Sequence, residues 1–293
     1  MGALHVRRAG WLSAQQLGMY LLEEARAAGV RLLRGRVVKI AHSQNGDGRR
    51  VRAVHLENGE RIPVERLVLA AGPFLRPLAA QLGLDLPVVA ERHLKLAFDD
   101  RLGALPREAP LLIWADPQEL DWTPEERALL DETETGLPLS GVLPSGAHTR
   151  PEGRGGSRMA VALWEYDTPE MSPVFPVPGD DLYPEVVLRG LERMLPAMRA
   201  YRTRLPRPIV DGGYYVKTPE NRPLIGPLPV AGAYVLGALS GYGIMASQGA
   251  ADLLAAHLTG KPLPPYAAAF HPDRYRDPAY RRKLASWREE WQL

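Results

Sequence analysis

The chain has 293 residues, 45% of them hydrophobic, and a formal net charge of +2 with basic and acidic residues intermixed. We therefore expect a sizeable core and no nucleic-acid partner, since nucleic-acid binding usually needs a clustered basic face. The lack of cysteine excludes disulfides, zinc–thiolate sites and thiol nucleophiles, and no apolar run is long enough to span a membrane.

The first third of the chain predicts a helix followed by a mixed sheet. Ser13 to Gln16 form a capping-box pattern that begins a helix, and Gly29 marks its end. Asn58 and Gly59 predict a hairpin turn, and the apolar run from Leu67 to Gly72 predicts a strand of a parallel sheet buried on both faces. Further strands are predicted at 30–33, 36–41, 51–56, 61–64 and 88–98, with a polar turn at 44–48 and a helix at 74–82.

The rest of the chain predicts an inserted unit and then a return to the first layer. Residues 99–156 have weak periodicity and many prolines and glycines, so we expect irregular structure there. A strand is predicted at 159–164, and helices are predicted at 183–194, 244–258 and 281–291. This order is typical of a nucleotide-binding layer that the chain visits twice, with a second unit inserted at about 90–210. The first ten residues lack the apolar core of a signal peptide, so we expect a cytoplasmic location and no membrane partner.

A glycine-rich loop between a short apolar strand and a helix is the most informative pattern. Glycines at 241 and 243 let backbone approach a bound group, and the helix that follows presents its positive end there. The junction suits a phosphate or an electron-rich ring, although a plain tight turn is an equal alternative. It is not a dinucleotide fingerprint, because no second strand with an acidic end follows the helix.

Other candidate residues each have a structural alternative. Ala70 to Gly72 at a strand end fit a ligand contact or close helix packing. His93, in a strand with charged neighbours, fits the lining of a cavity or a protected sheet edge. Tyr215 and Lys217 share a strand face and could hold a carboxylate or cover a sheet edge. No pair of the seven histidines has metal-ligand spacing, so no metal site is predicted.

Three segments of the chain resemble the flavin-dependent oxidases of the D-amino-acid oxidase superfamily, the group that includes glycine oxidase and sarcosine oxidase. The segment Thr218-Pro219-Glu220-x-x-Pro223-x-Ile225-Gly226 is similar to that family's Thr-Pro-Asp-x-x-Pro-x-Ile-Gly element. Leu239 to Ile244 resemble its flavin loop and helix start, and Leu67 to Phe74 resemble its strand ending in Ala-Ala-Gly-x-Trp.

The resemblance implies an α/β (α+β) fold, in which an incomplete FAD-binding Rossmann-like layer carries an inserted, mostly antiparallel substrate domain. The FAD-binding domain would comprise residues 1–90 and 211–270, the substrate domain 91–210, and a C-terminal tail 271–293. FAD is the implied cofactor, and the implied reaction is oxidation of a C–N bond of a small-molecule amine or amino acid by hydride transfer to the flavin.

The resemblance also implies site residues, although it assigns no catalytic residue. The implied FAD-binding residues are Val37, Val38, Ala70, Ala71, Gly72, Gly226, Ser240, Gly241, Tyr242, Gly243 and Ile244. The substrate side would carry Tyr215, Lys217, Lys95 and Arg92. A valine at position 243 is expected to clash with the flavin ring and abolish its binding.

Two departures from the family pattern shape these expectations. No segment matches the Gly-x-Gly-x-x-Gly unit that binds the ADP half of FAD, so a complementary chain carrying that unit is an expected partner. The alternative is a non-catalytic or truncated binding or scaffold subunit that keeps the oxidase fold. In addition, Tyr215 stands where several relatives hold the substrate carboxylate with an arginine, and tyrosine lacks the charged fork of that side chain.

Overall fold

The computed structural model describes residues 2–45, 48–132, 139–153 and 156–287. The chain divides into two compact units. The first unit comprises Met1–Trp11, Arg92–Glu170 and Val174–Gly213, and the second comprises Leu12–Glu91, Met171–Pro173 and Tyr214–Leu293. Each unit is therefore assembled from segments that are distant in the sequence.

The second unit begins with helix α1 (Ala14–Ala27). The Ser13 side chain accepts a hydrogen bond of 3.2 Å from the backbone N–H of Gln16, and Gly29 ends the helix at a φ of +91°. Both predicted signals are confirmed, because a hydroxyl satisfies a free N–H at the helix start and glycine adopts the left-handed conformation at its end. None of the residues of α1 is buried, however, so its apolar side chains are half-buried or exposed.

An antiparallel sheet follows α1 in the second unit. It contains β1 (Val37–Asn45), β2 (Gly48–Leu56) and β3 (Arg61–Pro63) in that order. The predicted Asn58–Gly59 hairpin is confirmed: Gly59 has a φ of +86°, and the Asn58 side chain accepts a bond from the backbone N–H of Glu60. The predicted turn at 44–48 includes residues 46 and 47, which lie outside the described residues.

Strand β4 (Leu67–Leu69) is short, pairs in parallel with a strand from later in the chain, and is followed by helix α2 (Leu75–Ala80). Leu69 is buried, whereas Leu67 and Val68 are only partly buried. The expectation that both faces of this strand are buried is therefore wrong for its first two residues. The physical reason is that β4 is an edge strand of its sheet, so its side chains have a neighbouring strand on one side only.

Most of a five-stranded sheet with the order β11-β5-β10-β9-β6 belongs to the first unit, and its residues 89–91 and 214–217 belong to the second. Its strands are β5 (Val89–Asp99), β6 (Leu112–Ile113), β9 (His148–Pro151), β10 (Met159–Leu163) and β11 (Ile209–Lys217), and a separate small ribbon pairs β7 (Gln118–Glu119) with β8 (Val142–Leu143). The pairings of β10 with β5 and of β9 with both β10 and β6 are antiparallel, as expected for the inserted unit.

Two helices complete the first unit. Helix α3 (Pro124–Glu132) lies in the segment expected to be irregular, so that expectation is wrong there. The overlooked signal is a capping box in which Thr123 and Glu126 exchange side-chain-to-backbone hydrogen bonds. Because α3 has no buried residue, it produced no apolar periodicity. Helix α4 (Tyr183–Leu191), by contrast, is buried along most of its length and contributes to a core centred on Trp164, Phe98 and Leu188.

The chain then completes the second unit with β12 (Leu224–Pro227), β13 (Ala233–Gly237), α5 (Gly243–Thr259) and α6 (Pro278–Ala285). Strand β13 lies at the centre of a three-stranded sheet, antiparallel to β12 and parallel to β4. Ala250, Leu253 and Leu254 are the buried residues of α5 and form one core cluster with Ile225 of β12. The mixed α/β class with open sheets is thus confirmed. The predicted helix at 281–291 begins earlier than expected, and its residues from 288 onward lie outside the described part of the chain.

Candidate functional site

Two parallel strands of the second unit end at the same edge of their sheet. The register pairs Val235 of β13 with Leu69 of β4, so Ala70 to Gly72 follow β4 at the level where β13 ends at Gly237. Ligands of α/β proteins collect at the carboxyl ends of parallel strands. The structure therefore brings together two of the predicted segments, the one at 70–72 and the one at 240–244.

The N-terminus of α5 lies directly beyond this edge. A single turn of 3-10 helix, Ser240–Tyr242, precedes it, and Tyr242 occupies the N-cap position without a side-chain capping hydrogen bond. Ile244 and Met245 in the first turn are 46% and 79% exposed. Backbone N–H groups in a first helical turn have no partner within the helix and carry partial positive charge. This end of α5 can therefore accept an electron-rich group.

The backbone at this edge adopts sparsely populated conformations. Ala238 and Ser240 have φ values of +57° and +49°, and Gly72 has a φ of +51°. Only glycine adopts such values without a steric cost, and non-glycine examples concentrate at functional sites. Two of the three residues are not glycine, so the surrounding fold must hold the strand-to-helix connection in place.

The two glycines of the loop have different roles. A Cβ atom on Gly241 would lie 2.6 Å from Cε2 of Tyr215, so glycine is required there for the Tyr215 ring to pack on the loop. A Cβ atom on Gly243 would meet only the Cβ of Leu239, at an ordinary 3.4 Å. Within the described residues, position 243 therefore has room for a Cβ atom.

Lys217 of the second unit forms an ion pair. Its Nζ lies 2.6 Å from Oε2 of Glu91, and the two side chains are 14% and 21% exposed. A charge at this depth is stabilised by its partner more than a surface charge would be. Lys217 would therefore have to leave Glu91, or share it, to bind a substrate carboxylate.

The other two predicted substrate residues, Arg92 and Lys95, lie in the first unit. The Arg92 guanidinium donates to the carbonyls of Pro178 and Gly179, and Lys95 lies 3.0 Å from the Asp211 carboxylate. His93, between them, is 5% exposed, and its Nδ1 is 3.0 Å from Oε1 of Glu165. No pattern along the chain predicts this last contact, because His93 and Glu165 are 72 positions apart and meet through strand pairing.

Gly226 lies away from the loop at 240–244. A Cβ atom there would lie 3.2 Å from Nε2 of His257 and 3.4 Å from Cδ2 of His271. His257 belongs to the last turns of α5, about 21 Å along the helix from Gly243 at 1.5 Å per residue. The structure thus does not bring Gly226 together with the other predicted cofactor residues. A cavity of about 610 Å³ lies at this far end and is lined partly by His257, His271 and Leu263.

Val37 and Val38 lie on a different sheet of the second unit. Both belong to β1, where Val37 packs against a buried apolar cluster and Val38 is 47% exposed. Their predicted role in binding the adenine side of FAD therefore remains a prediction.

Sequence reasoning missed a buried polar cluster around Glu220. The Glu220 carboxylate, whose side chain is 0% exposed, accepts hydrogen bonds from Arg274, Tyr275 and Tyr280. Burial favours the neutral acid, but the Tyr280 hydrogen bond and the Arg274 charge outweigh it and lower the pKa of Glu220 below its usual range. Burial raises the pKa of the Tyr280 hydroxyl, which therefore remains a donor. No spacing rule connects Glu220 with these three residues, because each of them is more than 50 positions away from it.

Two negative findings concern the described part of the chain. Nowhere in residues 2–45, 48–132, 139–153 and 156–287 do three or more histidine or acidic side chains cluster so that they could bind a metal ion. In the same residues, the helices are too short or too polar to cross a membrane.

Comparisons with known proteins find one matching family model and several solved structures of similar fold. The family model described as FAD dependent oxidoreductase, abbreviated DAO, matches residues 1–257. Among solved structures, the chain is similar to L-proline dehydrogenase from P. horikoshii (TM-score 0.64, 17% identity, 89% of this chain and 59% of that chain) and to glycine oxidase from Geobacillus kaustophilus (TM-score 0.58, 17% identity, 88% and 57%). It is also similar to fructosamine oxidase from Aspergillus fumigatus (TM-score 0.61, 17% identity, 90% and 58%).

These similarities have a defined extent. No curated protein sequence matches the chain. The chain spans less than two thirds of the length of each of the three structures, and at 17% identity they establish the fold alone. The family model, in contrast, covers most of the chain. The chain therefore belongs to the family of FAD-dependent oxidoreductases.

Proposed function

We propose that the chain takes part in the FAD-dependent oxidation of a C–N bond in a small amine or amino acid, with hydride transfer to the flavin. The observation that carries this proposal is the helix N-terminus of α5, free of a side-chain cap, at the carboxyl edge of the parallel pair β4–β13. FAD is the cofactor of the family, and the residues at this edge fit it. Gly243 leaves space in front of the helix, and the exposed first turn offers N–H donors.

In this proposal, the protein contributes position and electrostatics. The backbone N–H groups at Ser240–Ile244 would bind a ring carbonyl edge and stabilise negative charge there, because the helix end is partially positive. Ala70, Ala71 and Gly72 would allow close approach from the β4 side, since their side chains are small or absent. Bound FAD would supply the two-electron acceptor.

The substrate contacts are a finer part of the proposal. Tyr215 packs on the loop through Gly241, so its ring lies beside the proposed flavin position. Lys217, paired with Glu91, would bind a carboxylate group by exchanging partners. Arg92 and Lys95 remain proposed substrate contacts, to be tested by substitution. An amino compound as substrate is consistent with the names of the similar structures, which refer to L-proline, glycine and a fructosamine.

We also propose a complementary polypeptide as partner, supplying a strand parallel to β4 and a glycine-rich unit for the ADP half of FAD. Strand β4 is an edge strand paired in parallel with β13, and parallel sheets are normally covered on both faces. A second support is the exposed apolar surface of α1 and the segment after it, whose side chains are 40–58% exposed: Met19, Tyr20, Leu21, Val30, Leu32 and Leu33. Such a surface usually contacts another polypeptide.

The same exposed surface supports the second candidate function, a non-catalytic binding or scaffold subunit with the oxidase fold. One titration separates the two. FAD is added to the purified chain, and the flavin absorbance bands and fluorescence are recorded, followed by anaerobic addition of small amines and amino acids. Saturable flavin binding with bleaching by an amine supports the oxidoreductase. A chain that binds neither FAD nor riboflavin, the flavin without the ADP half assigned to the partner polypeptide, at micromolar to millimolar concentrations supports the scaffold.

A further inference from the structure

The turn that joins β11 to β12 has an unusual arrangement of hydrogen bonds. The Thr218 hydroxyl donates to the Arg222 carbonyl at 2.8 Å and accepts from the Arg222 N–H at 2.9 Å. Asn221, inside the turn, has a φ of +55°, which a non-glycine residue adopts only at a cost. This geometry turns successive carbonyls toward other parts of the second unit.

Side chains distant in the sequence bind those carbonyls. The Arg274 guanidinium donates to the carbonyls of Arg222 and Pro223, both at 3.0 Å. The Tyr242 hydroxyl donates to the carbonyl of Asn221 at 2.5 Å. Because the pKa of Tyr242 is raised, mainly by burial, its hydroxyl stays protonated and remains a donor.

Arg274 is itself held by the buried carboxylate of Glu220, which also accepts hydrogen bonds from Tyr275 and Tyr280. The Arg274 side chain is 3% exposed and the Glu220 side chain 0%. Each atom in this arrangement has a defined partner, so the cluster has little freedom to shift. The cluster therefore holds the turn at 218–223 in place. The hydrogen bond from the Tyr242 hydroxyl to the Asn221 carbonyl connects Tyr242 to this fixed turn.

We propose that Tyr242 is a positioning residue for FAD, which acts by tying the loop in front of α5 to the turn held by the Glu220 cluster. Tyr242 is the N-cap residue of α5, so its position sets where the N–H groups of the first turn begin. Its hydroxyl does not need to touch the cofactor. The inference rests on the proposed function, since it concerns the same loop and names the hydrogen bond of Tyr242 as the contact that orients this loop.

Hydrogen exchange in the absence of flavin tests whether Tyr242 holds the loop and the start of α5 in place. Tyr242→Phe removes only the hydroxyl, and we expect amide exchange in residues 247–250, whose N–H groups bond to the carbonyls of the first turn of α5, to rise by about tenfold, the equivalent of one lost hydrogen bond. Tyr266→Phe, at a side chain that is 59% exposed, is the matched control and should leave that segment unchanged. Unchanged exchange at 247–250 in Tyr242→Phe overturns the inference.

A remote variant tests the connection to the cluster. Tyr280→Phe removes one donor to Glu220 without leaving a buried charge unpaired, and it should also raise exchange at 247–250. In the Tyr242→Phe background, Tyr280→Phe should add little at this segment, because the bond that transmits its effect is already absent. Full additivity of the two effects would show that the cluster and the loop are independent, and the inference would be wrong.

Flavin titration then tests the consequence for the cofactor. We expect the dissociation constant for FAD to rise about tenfold in Tyr242→Phe and to remain within twofold of wild type in Tyr266→Phe. Equal affinity in Tyr242→Phe and wild type overturns the positioning role. A wild-type chain that takes up no flavin refutes the proposed function instead, and the exchange experiments still decide whether Tyr242 holds the loop.

Discussion

Removing the charge of Glu220 should destabilise the second unit far more than removing a surface carboxylate. Glu220→Gln keeps the size of the side chain and leaves Arg274, which is 3% exposed, without a counter-charge. It also places an N–H₂ group where a carboxylate now accepts hydrogen bonds from Arg274, Tyr275 and Tyr280. At least one donor then faces another donor in a buried site.

The expected magnitude follows from burial. Breaking a buried ion pair by removing one partner costs about 3–5 kcal/mol, because the remaining charge is desolvated and uncompensated. The matched control is Glu57→Gln, which breaks the Arg36–Glu57 pair in the same unit. Those side chains are 78% and 64% exposed and lie 3.5 Å apart, so the expected cost is about 0–1 kcal/mol.

The assay is urea denaturation of wild type and both variants, followed by circular dichroism across a range of pH. Because interactions in the fold lower the pKa of Glu220, its ionisation stabilises the protein above the unfolded value of 4.5, and this contribution is lost as the pH falls through the lower folded value. The free-energy difference between wild type and Glu220→Gln should therefore be constant near neutral pH and shrink below pH 4.5.

Two results would refute this reasoning. One is a Glu220→Gln variant whose free energy of unfolding lies within about 1 kcal/mol of wild type at neutral pH, as expected for a surface pair. The other is a stability difference that stays constant down to the acid limit of the folded state, which would show that folding does not lower the pKa of the Glu220 carboxyl.

Three further predictions concern other sites. Gly243→Val should leave the chain folded, since a Cβ there meets only an atom at 3.4 Å, but should abolish FAD binding; an unchanged flavin titration would show that the ring lies elsewhere. Gly190→Ala should lower the free energy of unfolding, measured by urea denaturation, by about 1–3 kcal/mol, because its Cβ would lie 2.5 Å from the buried Trp164 ring. Gly18→Ala in α1, which has open space around it, should instead raise that free energy by about 0.5–1 kcal/mol. Equal effects of the two substitutions would contradict the packing argument. Burial and the neighbouring charge of His271 lower the pKa of His257 in the folded protein, so just below pH 6.5 the unfolded chain binds a proton that the folded chain does not, and stability should rise with pH in that window. His257→Gln should flatten this rise of stability with pH. An unaltered slope would exclude His257 as its source.

Local sequence signals predicted much of the fold because they act over a few residues. The Ser13 cap, the Asn58–Gly59 turn and the Gly29 stop, which has a φ of +91°, are each confirmed. Helix α3 was missed because its signal was a cap at Thr123 alone, without a buried apolar stripe. The edge position of β4 was missed for a different reason: an apolar run records which residues prefer burial but not how many strands pair beside them.

The candidate site was predictable only in part. The loop at 240–244 and the segment at 70–72 were both found, and the parallel register of β4 and β13 brings them to one edge. The role of Gly241 against Tyr215 depends on a packing contact that no pattern in the sequence encodes.

By itself, the sequence determined the helix caps and turns, the helix that follows the glycine-rich loop, and the membership of a flavin-dependent family. Only the tertiary structure decided that Gly226 lies at the far end of α5, that Lys217 is paired with Glu91, and that Glu220 holds Arg274 beneath the turn at 218–223. The reason is physical. Propensities, caps and turns depend on neighbours along the chain, whereas ion pairs and buried hydrogen bonds depend on residues that meet only after the strands have paired and the core has packed.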